Sequence, residues 1–178
     1  AGVGDGVQRA GVVDDAAAKF GAVHGLVNNA GITRPAMIEK MTLPQWQAVL
    51  EVNLTAVHLM QQAVGRHMIA RARAGETSPG AIVNISSTAG KRGSIGQVNY
   101  AAAKSGVFGI TMTGALEWAR YGVRVNSVGF GTVETPMTET VRSERFRERT
   151  LARIPLGRIA LPAEVAPLIC FLLSDAAS

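Results

Sequence analysis

Three short β-branched runs constrain the fold most: "VHGLVNNAG" (23–31), "GAIVNISS" (80–87) and "VRVNSVGFG" (123–131). Strand-length apolar runs without polar alternation read as strands buried on both faces, which is the habit of parallel sheets. Parallel neighbours need a crossover connection, usually a helix. Helical spacing fills the intervals. "DGVQRAGVVDDAAAKFG" places Val7, Ala10, Val13 and Ala17 on one face and stops at Gly21. The stretch from Thr42 to Gly75 opens with Thr42 as N-cap and Pro44 in the first turn. "NYAAAKSGVFGITMTGALEWARYG" stops at Gly122, and "PAEVAPLICFLLSD" opens at Pro162. The alternation predicts an α/β fold, a doubly wound parallel sheet of the Rossmann type, in one domain over 1–178. Residues 71–80 read as a loop. Residues 132–162 lack a strand pattern and read as a lid over substrate.

Bulk properties narrow the function classes. With 47% hydrophobic and 17% charged residues, the chain has the composition of a globular protein. No apolar run reaches the ~18 residues of a membrane span, and no basic-then-apolar leader pattern opens the sequence, so a cytoplasmic enzyme is expected. The single Cys170 leaves no internal disulfide or cysteine metal cluster, and no metal site is expected. Net charge is +5 and the pI about 10.0. Much of that charge is scattered Arg, and aromatics make up only 5%, sparse for base stacking, so nucleic acid is not the expected partner.

Ligands in such folds bind at the carboxyl ends of the strands. The three runs end in Asn28-Asn29-Ala30-Gly31, in Asn84 with Ser86 and Ser87, and in Asn126 followed by Gly129, Phe130, Gly131 and Thr132. Each alone is ordinary turn chemistry. The segment "VNYAAAKSG" (98–106) adds Tyr100 and Lys104, four residues apart on one helix face. An ammonium beside a phenol favours the phenolate, so Lys104 is expected to draw Tyr100 below its ordinary value near 10 and make it a general acid or base. Ser87 is placed to hydrogen-bond a carbonyl or alcohol oxygen.

Taken together, these residues resemble the short-chain dehydrogenase/reductase family, most closely its β-ketoacyl-acyl carrier protein reductases. Five motifs lie in order: Asn28-Asn29-Ala30-Gly31, Asn53 in "VNLTAV", Ser87, Tyr100 with Lys104, and Asn126–Gly131 followed by Thr135 and Met137. The resemblance implies an NAD(P)-dependent oxidoreductase that interconverts a carbonyl and a secondary alcohol, with a 3-oxoacyl thioester as the candidate substrate. It implies that Tyr100 moves the proton at the substrate oxygen and that Ser87 holds that oxygen. Lys104 lowers the phenol and binds the nicotinamide ribose, and Asn53 anchors a water extending the proton relay. Asn28, Ala30 and Gly31 line the cofactor cleft, Val133 and Thr135 hold the carboxamide, and Met137 lies beside them. Val3 aligns with the end of the family's third strand, on the cofactor side, with Gly2 where a polar residue usually stands. Helices over 44–73 and 100–121 resemble those that pair relatives into homotetramers or homodimers.

Departures from the family pattern shape further expectations. The family's Gly-rich cofactor turn and its final strand are not among these residues, so the chain reads as part of a longer enzyme that alone binds cofactor loosely. The position that separates NAD from NADP is not among them either, and both stand. Phe130 replaces the usual Pro, and Tyr121 stands where carrier-protein reductases often place an Arg. Six Arg between 142 and 158 suit either a phosphate-bearing or acidic partner or a solvated helix face. A non-catalytic cofactor-binding or scaffold protein is the alternative; it has no chemical need for Asn53, Ser87, Tyr100 and Lys104 together.

Overall fold

The three strands form where the runs predict, in a computed structural model that describes residues 6–178. They are β1 (Gly25–Asn28), β2 (Gly80–Ser87) and β3 (Val123–Phe130), paired in parallel in the order β1-β2-β3. Asn28 lies opposite Asn84, and Ser87 opposite Phe130. The strand end expected at Val3 falls outside the described residues.

Eight helices lie among the described residues: α1 (Gly6–Phe20), α2 (Leu43–Leu50), α3 (Ala56–Arg73), α4 (Ala89–Arg92), α5 (Val98–Trp118), α6 (Glu139–Arg142), α7 (Glu144–Leu151) and α8 (Pro162–Leu173). A single π turn, Glu51–Thr55, joins α2 to α3. Thr42 caps α2 as its sequence predicts: its hydroxyl accepts from the Gln45 N–H, and the Gln45 side chain accepts from the Thr42 N–H at 3.0 Å. Beyond α5 a short 3-10 turn ends at Gly122, whose φ of +73° is cheap only for glycine.

Right-handed crossovers between neighbouring strands put α3 and α5 on one face of the sheet. There Val64 and Met68 of α3 meet Ile82, Val123 and Val125, with Val13 of α1 closing the cluster. Each such side chain contributes roughly 1.5–3 kcal/mol on burial. Gly65 makes the approach possible, since a Cβ there would lie 2.4 Å from the Trp118 ring. On the opposite face α8 packs over β2. Arg124 of β3 donates to the Leu172 and Ser174 carbonyls at 2.8 and 2.9 Å, satisfying groups that a helix end leaves without partners. Helices thus cover both faces.

Two expectations need correction. β2 and β3 run on past Asn84 and Asn126, so these two residues lie inside strands rather than at their ends. α3 extends to Arg73, which shortens the loop before β2 to 74–79. The 132–162 stretch holds a 3-10 turn (Pro136–Thr138), α6 and α7. Helices of four and eight residues bury too little to leave an apolar stripe in the sequence. Among the described residues, no helix is long and apolar enough to cross a membrane.

Candidate active site

The site begins with the close packing of α5. A Cβ on Gly90 of α4 would sit 2.7 Å from the Lys104 carbonyl carbon, and one on Gly106 2.7 Å from Leu54 Cδ1. The small residues therefore let the helix press against its neighbours, which carries the polar pair inward. Lys104 is only 3% exposed. Its Nζ donates to the Ile85 carbonyl at 2.7 Å and lies 5.7 Å from the Tyr100 ring centroid. The Ser86 hydroxyl donates to the Lys104 backbone carbonyl at 2.7 Å, fixing that helical turn to β2.

Burial dominates the electrostatics. It pushes the Tyr100 phenol above its ordinary value of 10.0, and a hydrogen bond with the Ser87 side chain offsets part of that rise. Burial also lowers the Lys104 ammonium from 10.5 to about 8. The expectation that Lys104 draws the phenol down is not met in this geometry, because the loss of water around the phenol outweighs attraction from an ammonium committed to a carbonyl. Tyr100 is consequently a protonated phenol at neutral pH.

Asn53 is fully buried in the π turn. Its Nδ2 donates to the Val49 and Ile32 carbonyls, both at 2.9 Å, and its Oδ1 accepts from the Ile32 N–H at 3.1 Å. An α-helix would give the Val49 carbonyl to the Asn53 main-chain N–H. The Asn53 side chain donates to that carbonyl, and insertion of a side chain into the helical ladder is a recognised cause of such a widened turn. A Cβ on Gly31 would lie 2.6 Å from Asn53 Oδ1 and 3.9 Å from Lys104 Nζ, so the loop after β1 passes against both. Gly31, Asn53, Ser87, Tyr100 and Lys104 thus form one cluster.

Other predicted residues lie differently. The Asn28 side chain turns away from the cleft and donates to Asn84 Oδ1 at 2.8 Å. Asn84 Nδ2 in turn donates to Gln61 Oε1 at 2.6 Å and to Thr111 Oγ1 at 3.0 Å. Neither Gln61 nor Thr111 was singled out in the sequence, although each interrupts an apolar helix stripe, Val57-Gln61-Val64-Met68 and Ala103-Val107-Thr111. Ala30 is exposed in the loop after β1. Val133 and Thr135 are half-buried beyond β3, and Met137 is 49% exposed. Val133 bridges to Ala160, and the Thr138 hydroxyl donates to the Val133 carbonyl at 2.6 Å while accepting from the Thr135 N–H at 3.1 Å. Val3 lies outside the described residues.

An ammonium carries three N–H donors. Among the described residues, buried Lys104 has one hydrogen-bond acceptor, Ile85. Two donors aimed beside a glycine backbone suit vicinal hydroxyls, so the cluster fits the ribose of a nicotinamide cofactor. No group of three or more His, Cys, Asp or Glu among the described residues is placed to hold a metal ion.

The family described as enoyl-(acyl carrier protein) reductase matches residues 2–178. A 3-oxoacyl-[acyl-carrier-protein] reductase of Thermotoga maritima is 48% identical over 167 residues, covering 94% of this chain and 65% of that protein. An acetoacetyl-CoA reductase of Shinella zoogloeoides is 43% identical over 160 residues, covering 90% of this chain and 64% of that protein. Among solved structures, a gluconate 5-dehydrogenase from Burkholderia cenocepacia in complex with NADP and tartrate superposes with a TM-score of 0.90 at 34% identity, covering 97% of this chain and 66% of that one. The chain spans just under two thirds of the length of these curated relatives.

Proposed function

The chain belongs to the short-chain dehydrogenase/reductase family, and from that premise we propose that it carries the proton-handling centre of an NAD(P)-dependent reductase acting on the ketone of a 3-oxoacyl thioester. The observation that carries the reading is the half-buried Tyr100 phenol, hydrogen-bonded to Ser87 and flanked by Lys104. Two hydroxyls converging on one point suit a carbonyl oxygen. They suit a carbon–carbon double bond less well, because its reduction delivers the proton to carbon.

The nicotinamide supplies the hydride when bound. Ser87 holds the ketone oxygen, and Tyr100 gives it a proton as negative charge develops there. A phenol held above its ordinary range stays protonated, which favours reduction as the working direction. Lys104 binds the ribose hydroxyls through its two remaining donors. Asn53 fixes the Gly31–Ile32 turn. Its side-chain donors are committed to backbone, so a water extending the proton path would rest on the main chain of the π turn. Ala30, Gly31, Val133, Thr135 and Met137 line the cofactor cleft, and Asn28 supports it from beneath through Asn84. Residues 1–178 act as one domain, 132–162 as its lid, in a cytoplasmic homotetramer or homodimer paired through 44–73 and 100–121.

The likeness to a gluconate 5-dehydrogenase favours a second reading, a keto-sugar-acid reductase. Reduction of acetoacetyl-CoA and of 5-ketogluconate, each with NADPH and with NADH, separates the two. Turnover of the ketothioester supports the proposal. Turnover confined to the sugar acid, or to an enoyl thioester, overturns it.

A further inference from the structure

Immediately before Tyr100 stands Asn99, which is fully buried yet polar and lies outside the cluster described above. Its carboxamide joins three segments. Nδ2 donates to the Arg34 carbonyl at 3.0 Å, in the loop after β1, and to the Gln45 carbonyl at 3.1 Å, in α2. Oδ1 accepts from the Tyr100 N–H at 2.8 Å. That N–H belongs to the first turn of α5, where the helix supplies no acceptor. The N-cap residue, Gln97, makes no side-chain cap hydrogen bond, so Asn99 does part of the capping from inside the helix. The same seam is closed by the Ala36 N–H, which donates to the Gly96 carbonyl at 2.9 Å.

The connections continue toward the chemistry. Arg34 lies two residues beyond Ile32, which Asn53 holds through both its N–H and its carbonyl. A continuous run of backbone and carboxamide hydrogen bonds therefore leads from Asn53 through the Ile32–Arg34 loop and Asn99 to Tyr100. Only a carboxamide meets both demands at position 99, with two N–H donors for two carbonyls and an oxygen for an N–H. A leucine would remove all three hydrogen bonds and leave the Tyr100 N–H without its side-chain acceptor, and an aspartate would face two carbonyls with no proton to give at neutral pH.

We propose that Asn99 is a positioning residue for the reduction: it sets the Tyr100 phenol in register with the loop after β1, and so with the bound ketone. The proposal rests on the reading of Tyr100 as proton donor. It acts on the transition state, because the distance from phenol to developing alkoxide is what a shift of the helix start would change. Misplacement of a reacting group by about 1 Å costs on the order of 100-fold in rate.

The test is steady-state reduction of acetoacetyl-CoA by Asn99→Ala, Asn99→Ser, Tyr100→Phe and the double variant Asn99→Ala/Tyr100→Phe, with nucleotide affinity measured on each by fluorescence titration. For Asn99→Ala the expected kcat falls roughly 10- to 100-fold, while KM and nucleotide affinity stay within about twofold. Asn99→Ser keeps one donor and falls between Asn99→Ala and the parent; it also serves as the readout should Asn99→Ala fold poorly. In the double variant the loss of Asn99 adds nothing to the loss of the phenol, because its effect runs through that phenol. An unchanged kcat in Asn99→Ala and Asn99→Ser, beside an inactive Tyr100→Phe, overturns the proposal and leaves the function standing. Losses that multiply in the double variant, or fall equally on nucleotide affinity, overturn it in favour of general scaffolding. Full turnover by Tyr100→Phe overturns the functional reading and the proposal with it.

Discussion

The turn of α5 that carries Tyr100 and Lys104, with the residues packed around it, and the arm over 132–162 are built in opposite ways. In the first, Asn53, Ser86, Asn99 and Lys104 are all buried, and each is tied to backbone carbonyls. In the second, neither α6 nor α7 buries a residue, and the polar ties are surface ion pairs such as Arg142 with Glu134 and Arg158 with Glu164. Exposed pairs of that kind add little to stability, because water and salt screen them. The contrast separates two tasks. On the proposed function, moving a proton requires atoms held to fractions of an ångström by groups that have nowhere else to go, whereas a proposed lid requires a segment that opens at small cost.

Lys104→Met should break the buried half most severely. Turnover falls on the order of 100-fold, the scale for misplacing a reacting group once the ribose loses these donors. Stability moves the other way with pH. The folded chain holds this ammonium near 8 rather than 10.5, so the unfolded chain binds more protons between those values and the parent grows more stable as pH rises from 8 to 10.5. The underlying penalty below pH 8 is roughly 3 kcal/mol, by the usual conversion of a shift of this size. Urea unfolding at pH 7 and pH 10 should show this rise in the parent and not in the variant. Equal slopes in both would refute the burial argument.

Asn53→Ala comes next. It removes three hydrogen bonds and leaves the Ile32 groups and the Val49 carbonyl unpaired or rearranged, a cost of about 2–4 kcal/mol. The melting temperature should fall by several degrees, and an unchanged melting point would show that the π turn does not depend on this side chain. Gly31→Ala sharpens the comparison from the loop side. Its new methyl would meet Asn53 Oδ1 at 2.6 Å, so nucleotide affinity should drop severalfold with a smaller loss of stability; parent-like affinity would place the cofactor elsewhere. The smallest effect belongs to the arm. The double change Arg145→Glu/Arg149→Glu should leave melting unchanged and raise KM for acetoacetyl-CoA severalfold, with no change for a small uncharged ketone. A rise for both ketones would mean that the arm shapes the site itself.

The sheet was legible because Val and Ile cluster where both faces are covered, as in Ala81–Ile85, and because Thr42, Pro44 and Gly122 mark helix ends by local rules. The cluster was legible because Ser87, Tyr100 and Lys104 keep a spacing that one strand end and one helix face explain. Three things were not. Asn28 looked like a cleft residue, but a four-residue β1 ending opposite Asn84 turns it inward, and no local signal states that register. The direction of the Tyr100 shift depends on how much water the surrounding loops exclude, a tertiary quantity. Gln61, Thr111 and Asn99 were visible only as polar residues on apolar stripes or beside a motif, and what they bond is set by segments 23 to 65 residues away.

The central claim is that the half-buried Tyr100 phenol delivers the proton while other groups hold the cofactor. It is tested most directly by Tyr100→Phe, with NADPH affinity and acetoacetyl-CoA reduction measured on the same preparation. The account predicts nucleotide affinity within about twofold of the parent and a loss of turnover of about 100-fold or more, the range for removing a general acid. Turnover within a few-fold of the parent would contradict it.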